Sequence, residues 1–456
     1  MNIASIEYFV IVLFVFTIGS IIGSLLNVCI YRLPREEEFW AAFKSLLYPP
    51  SHCPRCKRQI PFYDNVPIFG WLLLRGRCRG CQGRISARYP LIELLTALLF
   101  VAVYCAEIPD WWALPRASSI YHIYGPEAAG EWLTPLALAH WRYAFHMVLV
   151  VALIVATFID IDLRVIPDTV TLPAMAVGIL GNTLMGPGLM YLVPLWYQTQ
   201  GMQSTLPLEV QRFVLSLSPP PALPAWFAEW MHYVGVPVWM KAHPLAHGFA
   251  VAAAGVLVGG GTIWGVRIAG YWGLKKEAMG FGDVVLLAMI GSFIGWQGAL
   301  GVFFLAPLCA LAAVLVSLLF RFEREIPYGP YLSVATLIVL LCGRWLWPSI
   351  ESILALGPFL PVAGLIMFAS LIGLLYLVRS IMKLLGMRVD EPEPEWEWTS
   401  ADQLAHYANE RIDDRQGLWP QEGWQGERSG RGLGQQHAWR NGPSTGHAGS
   451  WRNLQR

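Results

Sequence analysis

The sequence predicts an all-α polytopic membrane protein of about nine transmembrane helices, with a small cytoplasmic zinc-binding loop domain. Three observations carry that prediction. Of 456 residues, 55% are hydrophobic and only 14% are charged, a balance too apolar for an ordinary soluble enzyme. Long apolar runs recur near residues 6–30, 90–106, 143–161, 169–193, 246–270, 283–296, 298–320, 330–348 and 359–384, and a bilayer span needs about 17 to 25 such residues. Between the first two runs stand Cys53-Pro-Arg-Cys56 and Cys78-Arg-Gly-Cys81, two short knuckles of the kind that hold a metal.

The first run has no basic segment before it and no small-residue cleavage site after it, so it is expected to stay as a transmembrane helix. Residues 1–32 form that first helix, and 33–89 form the cytoplasmic loop domain. Residues 90–348 form the main transmembrane body, with an extracytoplasmic insertion at about 194–245. The region 283–320 reads either as one bent helix or, because Gly295-Trp296-Gln297-Gly298 supplies a tight turn, as two separate runs. Residues 349–388 supply an extra transmembrane helix. From 389 to 456 the chain is rich in Glu, Gln, Gly, Arg, Ser and Trp, a composition that buries too little apolar surface to offset chain entropy, so a disordered cytoplasmic tail is expected.

Orientation follows from the cations. Lys and Arg are dense between the first two runs and recur at Arg164, Arg267, Lys275, Lys276, Arg321, Arg324, Arg379 and Lys383, which assigns those loops to the cytoplasm. Residues 194–245 hold only Arg212 and Lys241, and alternation of spans puts them on the other side. The formal net charge of +1 provides no electrostatic footprint for nucleic acid. The clustered cations are therefore assigned to orientation and to contact with membrane lipid.

Cys53, Cys56, Cys78 and Cys81 offer four soft ligands, with 21 residues between the pairs. Four thiolates with no open position point to structural Zn²⁺ rather than a catalytic metal. A cytoplasmic location argues against disulfides. Cys29, Cys105, Cys309 and Cys342 lie in or beside apolar runs and read as small hydrophobes.

Asp160 ends one apolar run and Asp283 opens another. A carboxylate at mid-bilayer costs about 2.5 to 3.5 kcal/mol on insertion scales, so such residues face an interior or a cavity and are functional candidates. Two carboxyls around one water can act as general base and general acid, because proximity splits their proton affinities. Asp162, two residues along, points to another side of the helix. Asp168 follows Pro167 and could N-cap the next helix, as Asp283 could its own. Gly280 and Gly282 flank Phe281 and let backbone approach closely beside Asp283. Ion-coupled transport and a non-enzymatic secretion or pilus assembly scaffold are the competing readings, and a cleavage assay separates them.

In order, Gly23-Ser24-Leu25-Leu26-Asn27-Val28 with Tyr31-Arg32-Leu33-Pro34, the two CxxC pairs, Arg88-Tyr89-Pro90-Leu91-Ile92-Glu93, Asp160 through Pro167-Asp168, Gly280-Phe281-Gly282-Asp283 and Pro327-Tyr328-Gly329-Pro330-Tyr331 resemble the bacterial type IV prepilin peptidases. These are GxGD membrane aspartyl proteases that also act as N-methyltransferases. The resemblance spans most of residues 15–345 and implies that Asp160 and Asp283 are the catalytic acids, with Asp162, Asp168, Gly280 and Gly282 as their neighbours. It implies a multi-pass protein of the bacterial inner membrane that cleaves the basic leader of prepilins or type II secretion pseudopilins after a glycine, at the cytoplasmic face. It also implies methylation of the new N-terminus from S-adenosyl-L-methionine, for which Asn27, Gly76, Arg88 and Glu93 are the candidate cofactor residues. Arg88 and Glu93 could equally pair with each other near the membrane surface. The chain departs from the pattern in its insertion, its ninth span and tail, and Val285, where relatives generally carry lysine.

Overall fold

Apolar runs in a bilayer must satisfy every backbone amide internally, and helices do so within one segment. The computed structural model describes residues 3–35, 39–53, 55–108, 135–184, 242–274, 279–320, 327–354 and 359–384. Ten α-helices follow in order: α1 Ile3–Arg32, α2 Phe39–Leu47, α3 Phe69–Leu73, α4 Arg88–Glu107, α5 Pro135–Leu163, α6 Asp168–Leu184, α7 Pro244–Leu274, α8 Phe281–Phe320, α9 Gly329–Leu354 and α10 Phe359–Leu384. No strand occurs among the described residues, which contain only two isolated bridges.

Among the described residues six helices are long and apolar enough to cross a membrane, α1, α4, α5, α7, α8 and α10, and α9 contributes a shorter apolar stretch at Gly329–Gly343. The chain is a multi-pass membrane protein. The nine apolar runs correspond to eight helices, because 283–296 and 298–320 are joined in α8. Gly295 is the reason: at φ 74°, ψ 174° it leaves the helical region, a conformation essentially confined to glycine, and the helix resumes at once, giving a kink rather than a turn. Residues 185–193 of the expected fourth span, the insertion up to residue 241 and the tail from 389 lie outside the described residues.

Helix α5 is the axis of the bundle. Leu149, Val150, Leu153 and Ile159 are almost fully buried along it, and it packs on α1, α4, α6, α8 and α9. Helices α7 and α8 cross at Gly255 and Gly291, where a Cβ on either would run into the other's carbonyl oxygen. In lipid, such backbone proximity replaces hydrophobic burial as the packing force. Helix α10 packs on α7, and no residue of its apolar window is fully buried.

At one end of the bundle, α4 and α5 are tied by buried ionic groups. His146 Nδ1 lies 2.5 Å from Glu107 Oε1, and Arg142 Nε lies 3.6 Å from Glu107 Oε2. Asp160 is 14 residues further along α5 than His146, about 21 Å at 1.5 Å per residue, and the acid-bearing helix ends gather at the opposite end.

Candidate active site

Asp160 sits in the last turn of α5 and Asp283 in the first turn of α8, with residual exposures of 5% and 8%. Asp283 is the third residue of α8, and its carboxylate accepts the backbone N–H of Gly280, just before the helix. That is the return contact of a capping box, so Asp283 satisfies the helix end from inside it rather than from the N-cap position. Asp168 is likewise inside its helix, as the first residue of α6.

The Asp160 carboxylate accepts the backbone N–H of Gly329, at the start of α9. The other early donors of α9 explain why this one is available. Tyr331 and Leu332 both donate to the Tyr328 carbonyl, and Pro330 has no N–H. Gly329 therefore holds the first-turn donor that a helix leaves orphaned. Glycine leaves the carboxyl its place there, because a Cβ would press on Asp160 Oδ2 and displace it.

The link after α5 closes the arrangement. Arg164 takes φ 54° and its N–H returns 2.8 Å to the Asp160 carbonyl, ending the helix and turning the chain toward Pro167. Ile166 then lies against both partner segments: it would be 3.1 Å from a Cβ at Gly329 and 3.0 Å from one at Gly282. The charge of Asp283 acts on both Asp160 and Tyr328. Two buried carboxyls from distant parts of the chain thus share one site, each held by a backbone donor, and Oδ2 of Asp160 is buried with no hydrogen-bond partner. Such a pair can hold one water between a base and an acid.

The parts played by Gly329, Ile166 and Tyr328 were not read from the sequence. The stretch Pro327–Tyr331 was recognisable, but the closeness of its glycine to Asp160 depends on how α5 and α9 pack.

Asp162 turns away from Asp160 and forms a bidentate ion pair with Arg88, at 2.9 Å from Nη1 and 2.5 Å from Nη2. Arg88 therefore does not pair with Glu93, contrary to one of the two sequence readings. Glu93 is buried and accepts the Ile68 N–H at 2.6 Å and the Ser24 hydroxyl. Asn27 bridges the same α1–α4 seam, its Nδ2 donating to the carbonyls of Gly23 and Tyr89 at 3.3 and 3.1 Å. Gly76 stands apart in the loop module at φ 67°, against the Trp71 ring.

The loop module is two copies of one turn. Cys53 N–H donates to Arg58 and Lys57 N–H to Cys53; Cys78 N–H donates to Gly83 and Gln82 N–H to Cys78, all at 2.9 Å. Lys57 and Gln82 take φ 56° and 57°, and the bridges His52–Gln59 and Arg77–Arg84 close the two turns. The four sulfurs lie within 4.8 Å of one another. Cys53 and Cys81 are 3.8 Å apart, and Cys56 and Cys78 are 3.9 Å apart. A tetrahedral metal with bonds of about 2.3 Å to sulfur requires separations of about 3.8 Å, so the donor set fits one. The Cys56 N–H is aimed at the Cys53 sulfur. Arg79, inside the second knuckle, pairs with Asp64 at 2.6 Å and holds that carboxyl below its ordinary range.

Comparison with known proteins bears on both regions. Residues 17–106 match the bacterial peptidase A24 N-terminal domain, and residues 222–316 match the type IV leader peptidase family. The chain is 32% identical to a prepilin leader peptidase/N-methyltransferase of Aeromonas salmonicida, across 73% of the chain and 92% of that relative. It is 33% identical to one from Aeromonas hydrophila over the same shares. It is also 31% identical to a type 4 prepilin-like proteins leader peptide-processing enzyme of Escherichia coli, across 69% of the chain and 88% of the relative. No solved structure matches. The second family match includes Asp283 but begins after Asp160, which falls between the two matched segments.

Proposed function

The chain belongs to the type IV leader peptidase family, and from that premise we propose that it is a prepilin leader peptidase and N-methyltransferase of the bacterial inner membrane whose hydrolytic pair is Asp160 and Asp283. The observation that carries the pair is the convergence of two buried acids on one site, under the Gly329 N–H and the Ile166 side chain. One ionised carboxylate takes a proton from water as the oxygen attacks the scissile carbonyl, and the protonated partner gives its proton to the carbonyl oxygen. The carboxyl that took the proton then passes it to the leaving amine as the tetrahedral carbon collapses. The substrates are prepilins or pseudopilins, whose basic leaders meet the site at the cytoplasmic face, the side that the Lys and Arg distribution assigns to these helix ends.

We assign the four cysteines to structural zinc, which when bound would cross-link the two knuckles. S-adenosyl-L-methionine would supply the methyl group, with Asn27, Glu93 and Gly76 as the candidates that the family resemblance offers to hold it. Two measurements test these assignments. Asp160→Asn and Asp283→Asn should each abolish leader cleavage by the purified protein while leaving it folded; a single variant that still cleaves rejects the pair. Cys53→Ser or Cys78→Ser should lower bound zinc, read by elemental analysis, from about one equivalent to a small fraction of that. Full occupancy in either variant would remove those thiols from the site.

A further inference from the structure

Arg88 opens α4, directly after the loop module, and Asp162 lies 74 positions further along the chain. Its guanidinium grips both carboxylate oxygens of Asp162 and lies 5.3 Å over the Phe158 ring on the same helix. Arg88 therefore touches α5 on both sides of Asp160, two residues before it and two after. Fork-to-fork pairing of this kind fixes orientation as well as distance. The same N-terminal stretch of α4 is fastened to the module through the Ile68 N–H on Glu93 and to α1 through the Asn27 bond to the Tyr89 carbonyl.

We propose that Arg88 and Asp162 are positioning residues for the peptidase reaction: their ion pair fixes the end of α5 so that the Asp160 carboxyl stays aligned with Asp283. The pair couples the cysteine module to the acids, so that disturbance of the α4 start is felt at Asp160. The inference rests on Asp160 being one of the two acids, and it assigns the Arg88 guanidinium to the peptidase site rather than to cofactor binding.

Charge reversal tests it. Arg88→Asp and Asp162→Arg should each lower kcat for leader cleavage by on the order of 100-fold, the cost of misplacing a reacting group by about 1 Å, with KM within about twofold of the parent. The double variant Arg88→Asp with Asp162→Arg restores a pair of opposite charge and should recover at least about tenfold over either single variant, because contacting residues are non-additive. Arg88→Lys, which keeps charge without the fork, should fall between the parent and Arg88→Asp. Single reversals that cleave normally overturn the proposal, as does a folded double variant no better than the singles. Loss of methyl transfer to an already cleaved pilin peptide by Arg88→Ala, with cleavage retained, also overturns it. Retained cleavage by Asp160→Asn would instead overturn the acid pair itself, so the two failures are distinguishable.

Discussion

At the scale of single residues, Gly329 shows how little of the proposed aspartyl site need be side chain. Its N–H is available to Asp160 because Pro330 offers none and because Tyr331 and Leu332 are satisfied within their own turn. Gly329→Ala would press a methyl group on Asp160 Oδ2 and displace the carboxyl. Leader cleavage should fall about 100-fold, as expected for a small misplacement at a reacting centre, while zinc content is unchanged; parent-level cleavage would show that α9 yields without moving the acid. The sequence marked Asp160, Asp283 and the four cysteines by chemistry alone, since an acid beside hydrocarbon and paired thiols stand out wherever they occur. It could not mark Gly329 or Ile166, whose types are ordinary for a membrane helix and whose importance lies in what packs against them. Glu107 was overlooked for a related reason. It falls just past the run at 90–106, and its partners Arg142 and His146 belong to another helix.

At the scale of elements, helix identity was legible and helix continuity was not. Apolar runs long enough to span give α1, α4, α5, α7 and α10 directly, but whether Gly295 ends a helix or bends it turns on one backbone conformation. The crossing of α7 and α8 was also hidden, because glycines spread along apolar helices look alike until their neighbours are known. Gly255 and Gly291 meet backbone to backbone, whereas Gly261 has nothing within 4 Å. Gly291→Val should therefore destabilise the protein by about 1 to 3 kcal/mol or more through overpacking. Gly261→Val should stay within about 0.5 kcal/mol, as an uncrowded position permits. Unfolding in mixed micelles by a denaturing detergent would compare them, and equal losses would contradict the crossing described above.

At the scale of the whole molecule, the body that holds the acids is formed by α1 and α4 through α9, and α10 touches it through α7. A chain ending before Phe359 lacks α10 and everything after it while keeping each segment that contacts Asp160 or Asp283. Such a truncation should cleave leader peptides within about threefold of the full chain once matched for the amount inserted in the membrane. A loss of activity comparable to that of Asp160→Asn would make α10 part of the working unit. The order of the pieces was visible in the sequence, because Pro167-Asp168, Gly280–Asp283 and Pro327–Tyr331 occur in the familiar succession. Their convergence on one site was not, since it needs the long-range packing of α5, α8 and α9.

Asp160, Asp283 and Gly329 leave the ribosome in that order, and α5 carries the first of them long before α9 is complete. A partly synthesised chain consequently holds an acid without its partner, or both acids without the amide that restrains Asp160. With Asp160 and Asp283 as the proposed hydrolytic pair, leader cleavage is expected to await α9, the last helix in the chain to bring a contact to either acid.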